Sequence, residues 1–439
     1  MSHFKPYPAY RPSGVEWIGD VPEHWEVKPI KILATYNDDV LPDSTAADSP
    51  IKYVDISAVS YSDGIGSTED MLFGNAPSRA RRKAKSGDVV ISTVRTYLKA
   101  VAAVDEAHAD CVYSTGFAVL RARDGHIEPN FLKWLALNEL FIQSVESHSE
   151  GLSYPAINAP ELVNLKTAIP SFSEQAKIAS TLDRETKRID SLIAKKTRFV
   201  ELLKEKRQAL ITHAVTKGLD PNVKMRNSGV EWIGEVPHHW TLTTLKRVSS
   251  IRYGIGEPPP YKAEGVRLVR ATNVNAGEIQ ERGMVLVDPN DIPAGRIVWL
   301  KSGDIVVVRS GAYTGDSAIV PEEYPSAIAG FDMVLRCTGA ISQFIQFSLL
   351  SPYVKVAQID PQTMRAAQPH LNAEELGNCV IAAPSLDEQE EIASYLIKQC
   401  GVIDLIARKT QHSIDLLKER RSAFITAAVT GQIDLRESV

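Results

Sequence analysis

Only four cysteines, Cys111, Cys337, Cys379 and Cys400, occur in 439 residues, far apart and without a CxxC pair. That spacing argues against a zinc site and against a disulfide framework, and it suits a reducing compartment. No run of eighteen apolar residues is present, so no membrane-spanning helix is expected. The opening, MSHFKPYPAYRPSG, has no apolar h-region and no cleavage pattern, so the chain reads as cytoplasmic, without a signal peptide. Phosphate-loop chemistry is missing too: Gly311-Ala312-Tyr313-Thr314-Gly315-Asp316 lacks the lysine that GxxxxGK[ST] requires. There is no Asn-Pro-Pro-aromatic methyltransferase motif, no HExxH, no ordered Ser/His/Asp set and no carboxylate cluster with metal spacing. No catalytic residue, metal or cofactor is therefore expected in this chain. A net charge of −5 speaks mildly against nucleic acid as a partner, although local clusters matter more than the sum. Hydrophobic content of 44% and charged content of 23% are ordinary for a globular protein with room for two or three cores.

What is present is present twice. Residues 13–19 read SGVEWIG and residues 228–234 read SGVEWIG again, each followed by a VPxHW segment, at 21–25 and at 236–240. Ser86-Gly87-Asp88 returns as Ser302-Gly303-Asp304, Gly116-Phe117 as Gly330-Phe331, and Pro155-x-x-Asn158 as Pro369-x-x-Asn372. Pro170-Ser171 with Glu174-Gln175 returns as Pro384-Ser385 with Glu388-Gln389. An internal repeat of this length decides the architecture before any single residue does.

Each half closes with a long helix, predicted over 174–213 and 388–427. Both start at a capping-box pattern, Ser171-x-x-Glu174 and Ser385-x-x-Glu388, in which serine caps the first turn and glutamate reaches back. Both stop near a glycine, Gly218 and Gly431. A heptad row runs through Leu182, Ile189, Leu203 and Leu210, broken at Lys196, and again through Leu396, Ile403, Leu417 and Phe424, broken at Thr410. Leu192, Phe199 and Ile406 are read as widening the stripe. Matched rows of this kind predict that the two helices pack on each other as a coiled coil.

Chain reach sets their orientation. About ten residues link the first helix to the second globular half, at most about 35 Å of extended chain. A parallel pair would need a return of roughly 60 Å along the helix, so an antiparallel pair is expected. The predicted class is α+β: two mixed α/β heads separated by a pair of long antiparallel coiled-coil helices in a pseudo-twofold dumbbell. The segments are 1–172, 173–220, 221–386 and 387–439. Strands are predicted at 52–56, 88–94 and 117–121, with matches at 267–271, 304–309 and 331–336, and a late helix at 129–145 with a match near 340–356.

Taken together, SGVEWIGxVPxHW, SGDxV and the PSxxEQ segment opening a long helix resemble the specificity subunits of type I DNA restriction-modification systems. The resemblance covers essentially the whole chain, in both copies. It implies two target recognition domains reading an interrupted, asymmetric sequence in double-stranded DNA, with the long helices as spacers. It also implies that two methylation subunits and the nuclease-translocase subunits join the complex, and that those partners hold S-adenosylmethionine, ATP and magnesium. A specificity subunit of a methyltransferase-only or type II-like complex remains open. A complete restriction or methylation enzyme fused to its reader, against which the missing cofactor motifs count, is a second reading, and a pure scaffold protein with paired heads is a third.

Phosphate contacts need cations, and base edges need long polar side chains. The candidates in head one are Arg79, Arg81, Arg82, Lys83 and Lys85, before the SGD turn, and Arg95, Tyr97 and Lys99, after the central strand. Head two offers Arg296 and Lys301, then Arg309, Ser310 and Tyr313. The segments before Pro155 and Pro369 differ between halves and add Ser153 and Tyr154 against Arg365 and Gln368. Docking of partner subunits is assigned to the outer faces of the helices: Glu201, Lys204 and Lys206, and Asp415, Lys418 and Arg420. Asp88 and Asp304 are read as turn residues, His24 and His239 as structural, and Trp17, Trp25, Trp232 and Trp240 as packing anchors.

Overall fold

The computed structural model describes residues 5–151, 154–363 and 369–436. It divides into two compact units, one made of 1–197 with 412–439 and one of 198–411. Each unit therefore takes part of both long helices.

In the first unit, one antiparallel sheet has the order Val101–Ala103, Val89–Ser92, Phe117–Ala122, Ala34–Tyr36. A second has the order Glu69–Leu72, Pro50–Val54, Val112–Ser114, Ala80–Lys83, with the middle pair parallel. The second unit repeats this plan. Its antiparallel sheet runs Ser249–Tyr253, Met333–Cys337, Ile305–Val307, Ser317–Ile319. In its other sheet, Val266–Val269 lies parallel to Ala327–Ala329 and antiparallel to Val285–Val287. The predicted strands are found in both units, within a few residues at each end.

The sheets diverge at their edges. The first unit ends one sheet on the basic strand Ala80–Lys83, where the second has only an isolated bridge between Trp299 and Ile328. The second unit instead adds Tyr261–Lys262 at the opposite edge. An edge strand contributes one ladder rather than two, so edges change without disturbing the frame.

One expected correspondence is shifted. Val90 pairs with Val119 and Val306 with Val334, which makes Phe117 the counterpart of Asp332 and not of Phe331. Between Tyr113 beside Val54 and Phe117 the chain has one residue more than between Ala329 beside Val269 and Asp332. A single-residue slip turns a strand's side chains to the opposite face. Phe117 is 1% exposed in the core, whereas Phe331 is 42% exposed.

The late helix of head one is two helices, Pro129–Ala136 and Glu139–Ser147. Asn138 interrupts it because its side chain accepts from the Leu140 N–H and so caps a new start; the Thr426 hydroxyl also donates to it. Its match in head two is Ser342–Leu350, followed by a π-helical turn at Lys355–Ile359.

The long helices, Phe172–Lys217 and Leu386–Val429, are 46 and 44 residues long, about 65 to 70 Å at ~1.5 Å per residue. In the first unit the start of one (Ile178, Leu182) and the end of the other (Phe424, Ala428) share a core. In the second unit the end of the first (Ile211, Val215) and the start of the second (Ile392, Leu396) do the same. Start meets end in both units, so the pair is antiparallel. The ion pairs repeat as well, Arg421 with Asp190 at 2.9 Å and Arg207 with Asp404 at 3.0 Å. The heptad row is buried as expected except at Leu210 and Leu417, which are half-buried, and its flank is i+4: Thr186, Cys400 and Ile414 are buried. Leu192, Phe199 and Ile406, at i+3, are exposed, which corrects the wider stripe expected there. Residues at i+3 and i+4 lie on opposite sides of a row, and only the i+4 side faces the neighbour.

The PSxxEQ segment ties helix to head. Glu174 does not complete a capping box; its carboxylate accepts from Tyr7 Oη (2.8 Å), Trp25 Nε1 (3.2 Å) and His24 Nε2 (3.0 Å). Glu388 holds Trp240 Nε1 (3.0 Å) and His239 Nε2 (2.9 Å) in the same way. Gln175 donates to Pro170 O and accepts from the Glu128 N–H, and Gln389 does so with Pro384 and Ile341. At the other end of each helix sits a left-handed glycine. A Cβ on Gly431 would stand 2.4 Å from Pro22, beside Trp25, and Gly218 faces Trp240. Trp25 and Trp240 are buried and Trp17 packs on Phe141, but Trp232 is 48% exposed and anchors nothing comparable.

Replacing Glu174 with alanine leaves three donors around a buried position unpaired, at about 1–3 kcal/mol for each buried group. Glu174→Ala is expected to destabilise the full chain by about 3 kcal/mol in equilibrium urea unfolding. Glu388→Ala should cost roughly half as much, because that side chain is 27% exposed against 6% for Glu174.

Candidate nucleic-acid interface

The basic run of head one lies on and around the edge strand Ala80–Lys83, and most of it is neutralised locally. Arg79 pairs with Asp55 at 2.7 Å and donates to the Tyr53 hydroxyl at 3.0 Å. Arg81 lies 3.8 Å from Asp43 and over the Phe73 ring, and Lys83 lies 4.0 Å from Asp39. Arg82 is half-buried, its Nε has no partner among the described residues, and burial lowers its pKa. Lys85 is exposed and offers its backbone N–H to Asp88 at 2.7 Å.

Asp88 and Asp304 are more than turn residues. Each accepts from its own turn (Lys85 N, Lys301 N) and forms a two-pronged pair with an arginine on the neighbouring strand, Arg121 or Arg336. The pairs lie at 2.7 and 2.6 Å with both carboxylates buried, and the bond to the aspartate raises each arginine's pKa. Such a pair fixes the loop relative to the sheet.

After the central strand of head one, Arg95 and Lys99 bracket a short turn, both in the left-handed region at φ 52° and 50°. Non-glycine residues held there store strain, which clusters at ligand-binding surfaces. The turn is held by Thr96 donating to Ser149 Oγ at 2.9 Å, and Lys99 lies 3.8 Å from Glu139. It presents Arg95 over the exposed Tyr154 ring at 5.2 Å, next to the exposed Tyr97. Two candidates distant in sequence, Arg95 and Tyr154, thus meet on one surface. Val94 bridges to Ala156, and in head two Ser310 bridges to His370 in the same manner.

In head two Arg309 leaves the central strand with its N–H on Asp332 (3.2 Å) and its guanidinium between Phe331 (3.5 Å) and Tyr253 (4.9 Å). Tyr313 is exposed nearby in sequence. Arg296 and Lys301 are exposed on the approach to the SGD turn and do not gather into a run like that of head one. Ser153, Arg365 and Gln368 lie outside the described residues. Glu201, Lys204, Lys206, Asp415, Lys418 and Arg420 are all exposed on the long helices.

Sequence reasoning passed over Asp332, Arg270, Tyr253, Tyr261 and Phe331. The misaligned Gly-Phe match hid Phe331 and Asp332; the shared LR pair, Leu120-Arg121 against Leu335-Arg336, was the signal that sets the register. Among the described residues no cluster of His, Cys, Asp or Glu could hold a metal ion, and no helix is long and apolar enough to cross a membrane.

A family model for the type I restriction modification DNA specificity domain matches residues 22–201 and 260–414. The chain belongs to this family. The EcoKI specificity subunit of Escherichia coli K12 is 21% identical over 432 residues, covering 94% of this chain and 90% of its own. The MjaVIII specificity subunit of Methanocaldococcus jannaschii is 24% identical over 311 residues, 69% of each. Among solved structures, a chain from a study of complex assembly and conformational transition of the type I R-M system has a TM-score of 0.73 at 21% identity. It covers 94% of this chain and 99% of its own. The HsdS subunit of Thermoanaerobacter tengcongensis gives a TM-score of 0.52 at 22% identity, covering 94% and 98%. At these identities the structures establish the shared fold of the specificity subunit.

Burial raises the Asp332 carboxyl from 3.8 to about 6, partly offset by the Arg309 N–H and charge. Between those values the folded protein keeps a proton that the unfolded chain has lost, so stability falls as pH rises through about 4 to 6 and is level above. Asp332→Asn is expected to be more stable than the parent at pH 8, by at most ~3 kcal/mol, and indistinguishable below pH 4. Urea melts at both pH values check the sign.

Proposed function

We propose that this specificity subunit reads an interrupted, asymmetric sequence in double-stranded DNA, one half-site with each head. The observation that carries the reading is a repeated frame with divergent faces. Equivalent strands and equivalent Asp–Arg pairs present Arg95, Tyr97 and Tyr154 in one head and Arg309, Phe331 and Asp332 in the other. Two unlike readers on one scaffold need two unlike half-sites. The chain itself is non-catalytic in this reading and acts in the cytoplasm on chromosomal DNA. Two methylation subunits dock along the long helices, where Leu192, Phe199, Val402 and Ile406 lie exposed off the buried row. Nuclease-translocase subunits join through them. The partners hold S-adenosylmethionine, ATP and magnesium.

The test is co-purification with the methylation subunits, followed by mapping of methylated adenines. An interrupted, asymmetric site is expected, with affinity falling steeply with salt; a continuous palindrome would sink the two-reader model. Charge reversal at Glu201, Lys204 or Arg420 should weaken assembly and leave the target sequence unchanged.

We infer further that the long helices set the gap between half-sites. Four residues inserted after Ala194 add about 6 Å of helix. The gap should then change by about one to two base pairs at ~3.4 Å each, both half-sites staying the same. Methylation mapping that returned the old gap would show that the helices do not set it.

A further inference from the structure

Head two contains a cavity of about 180 Å³ lined by Ile255, Tyr261, Arg270, Ser310, Phe331 and Asp332, with others. At the equivalent position of head one Phe117 takes the place of Asp332 and packs edge-on against Tyr113. Substituting a carboxylate for a core phenylalanine is costly unless the carboxylate has work to do.

Asp332 is 2% exposed, and among the described residues its Oδ2 has no hydrogen-bond partner. Among the described residues Nε of Arg270, which also lines the cavity, has none either, and the same holds for Nε of the adjoining Arg309. One free acceptor, on Asp332, and one free donor, on Arg270, thus belong to residues that line the cavity, with a second free donor on Arg309 beside it. Arg270 lies over the Tyr261 ring at 5.5 Å and Arg309 over Phe331, and both rings are largely exposed at the rim. A ligand that satisfies this set is planar, carries an amino donor at its edge and has ring acceptors beside it. The volume equals roughly six waters at ~30 Å³ each and is below the ~300 Å³ of ordinary cofactor sites. It admits one ring system, with sugar and phosphate left outside.

We propose that this cavity receives a single nucleobase bearing an exocyclic amino group, unstacked from the DNA, with Asp332 accepting from the amine and Arg270 donating to a ring acceptor. The proposal rests on the DNA-reading function above and names one specificity-determining site within it. Phe331 and Tyr261 supply the stacking surface that replaces the neighbouring bases. Thymine, with a carbonyl where the amine would be, sets an acceptor against the carboxylate.

The experiment titrates deoxycytidine, deoxyadenosine and thymidine into the full chain, followed by saturation-transfer NMR. An amino-bearing nucleoside is expected to bind at least tenfold more tightly than thymidine. Asp332→Asn should erase that preference, and Asp332→Phe, which restores the residue of head one, should abolish binding of all three. In the complex with the methylation subunits, Asp332→Asn should then change base preference at one position of one half-site. 2-Aminopurine placed at that position should fluoresce as an unstacked base. If no nucleoside binds and Asp332→Asn reads every position as the parent does, the cavity proposal is overturned while DNA reading stands. If nucleosides bind with the stated preference but no specific DNA does, the cavity proposal holds and the reader function fails.

Discussion

A carboxylate at the first turn of a long helix, buried in Glu174 and partly exposed in Glu388, organises each half of this protein. Glu174 gathers the donors of Tyr7, His24 and Trp25, and Glu388 gathers those of His239 and Trp240. The helix N-terminus adds a favourable field for that negative charge. The interaction joins segments about 150 residues apart in sequence, so the helix cannot leave the head at another angle without stranding buried polar groups. The adjacent glutamine fixes the Pro170 or Pro384 carbonyl and the N–H at the start of the late helix. A left-handed glycine at the end of the other long helix closes against the same tryptophan. Neither head is complete without both helices, which is why each compact unit draws on distant parts of the chain.

Around that rigid base, variation is confined to places where it costs little. Central strands and their Asp–Arg clamps repeat, while edge strands, the turn after the central strand and one core position differ. Head one stores strain in two left-handed basic residues and presents an arginine stacked on a tyrosine. Head two buries an acid among arginines and aromatic rings. Both arrangements hold cations over aromatic faces.

Charge counting alone misleads for such a surface. The run of five cations before the first SGD turn looks like a phosphate-binding stripe, yet Arg79, Arg81 and Lys83 each face a carboxylate. Surface pairs of this kind contribute little stability. The net charge of −5 is therefore compatible with DNA binding when acidic neighbours give way to the backbone of the ligand.

Repetition made most of the architecture legible in the sequence. Two copies of SGVEWIG, of SGD and of PSxxEQ, with heptad rows broken at matching places, determine two like heads and two long helices. Local rules suffice there, because periodicity, caps and turns act over a few residues. The sequence also carried the family, through motifs spaced alike in both halves. What it could not decide were contacts closed over long separations. Glu174 reads as a capping glutamate until Trp25 is brought to it, and the flank of the helix row is settled by where the neighbour lies. A one-residue deletion turned Phe331 outward and Asp332 inward, and only the strand ladders record it. Burial and partner choice belong to the assembled core, since the free energy of a carboxylate or an aromatic ring depends on what surrounds it and not on its place in the chain.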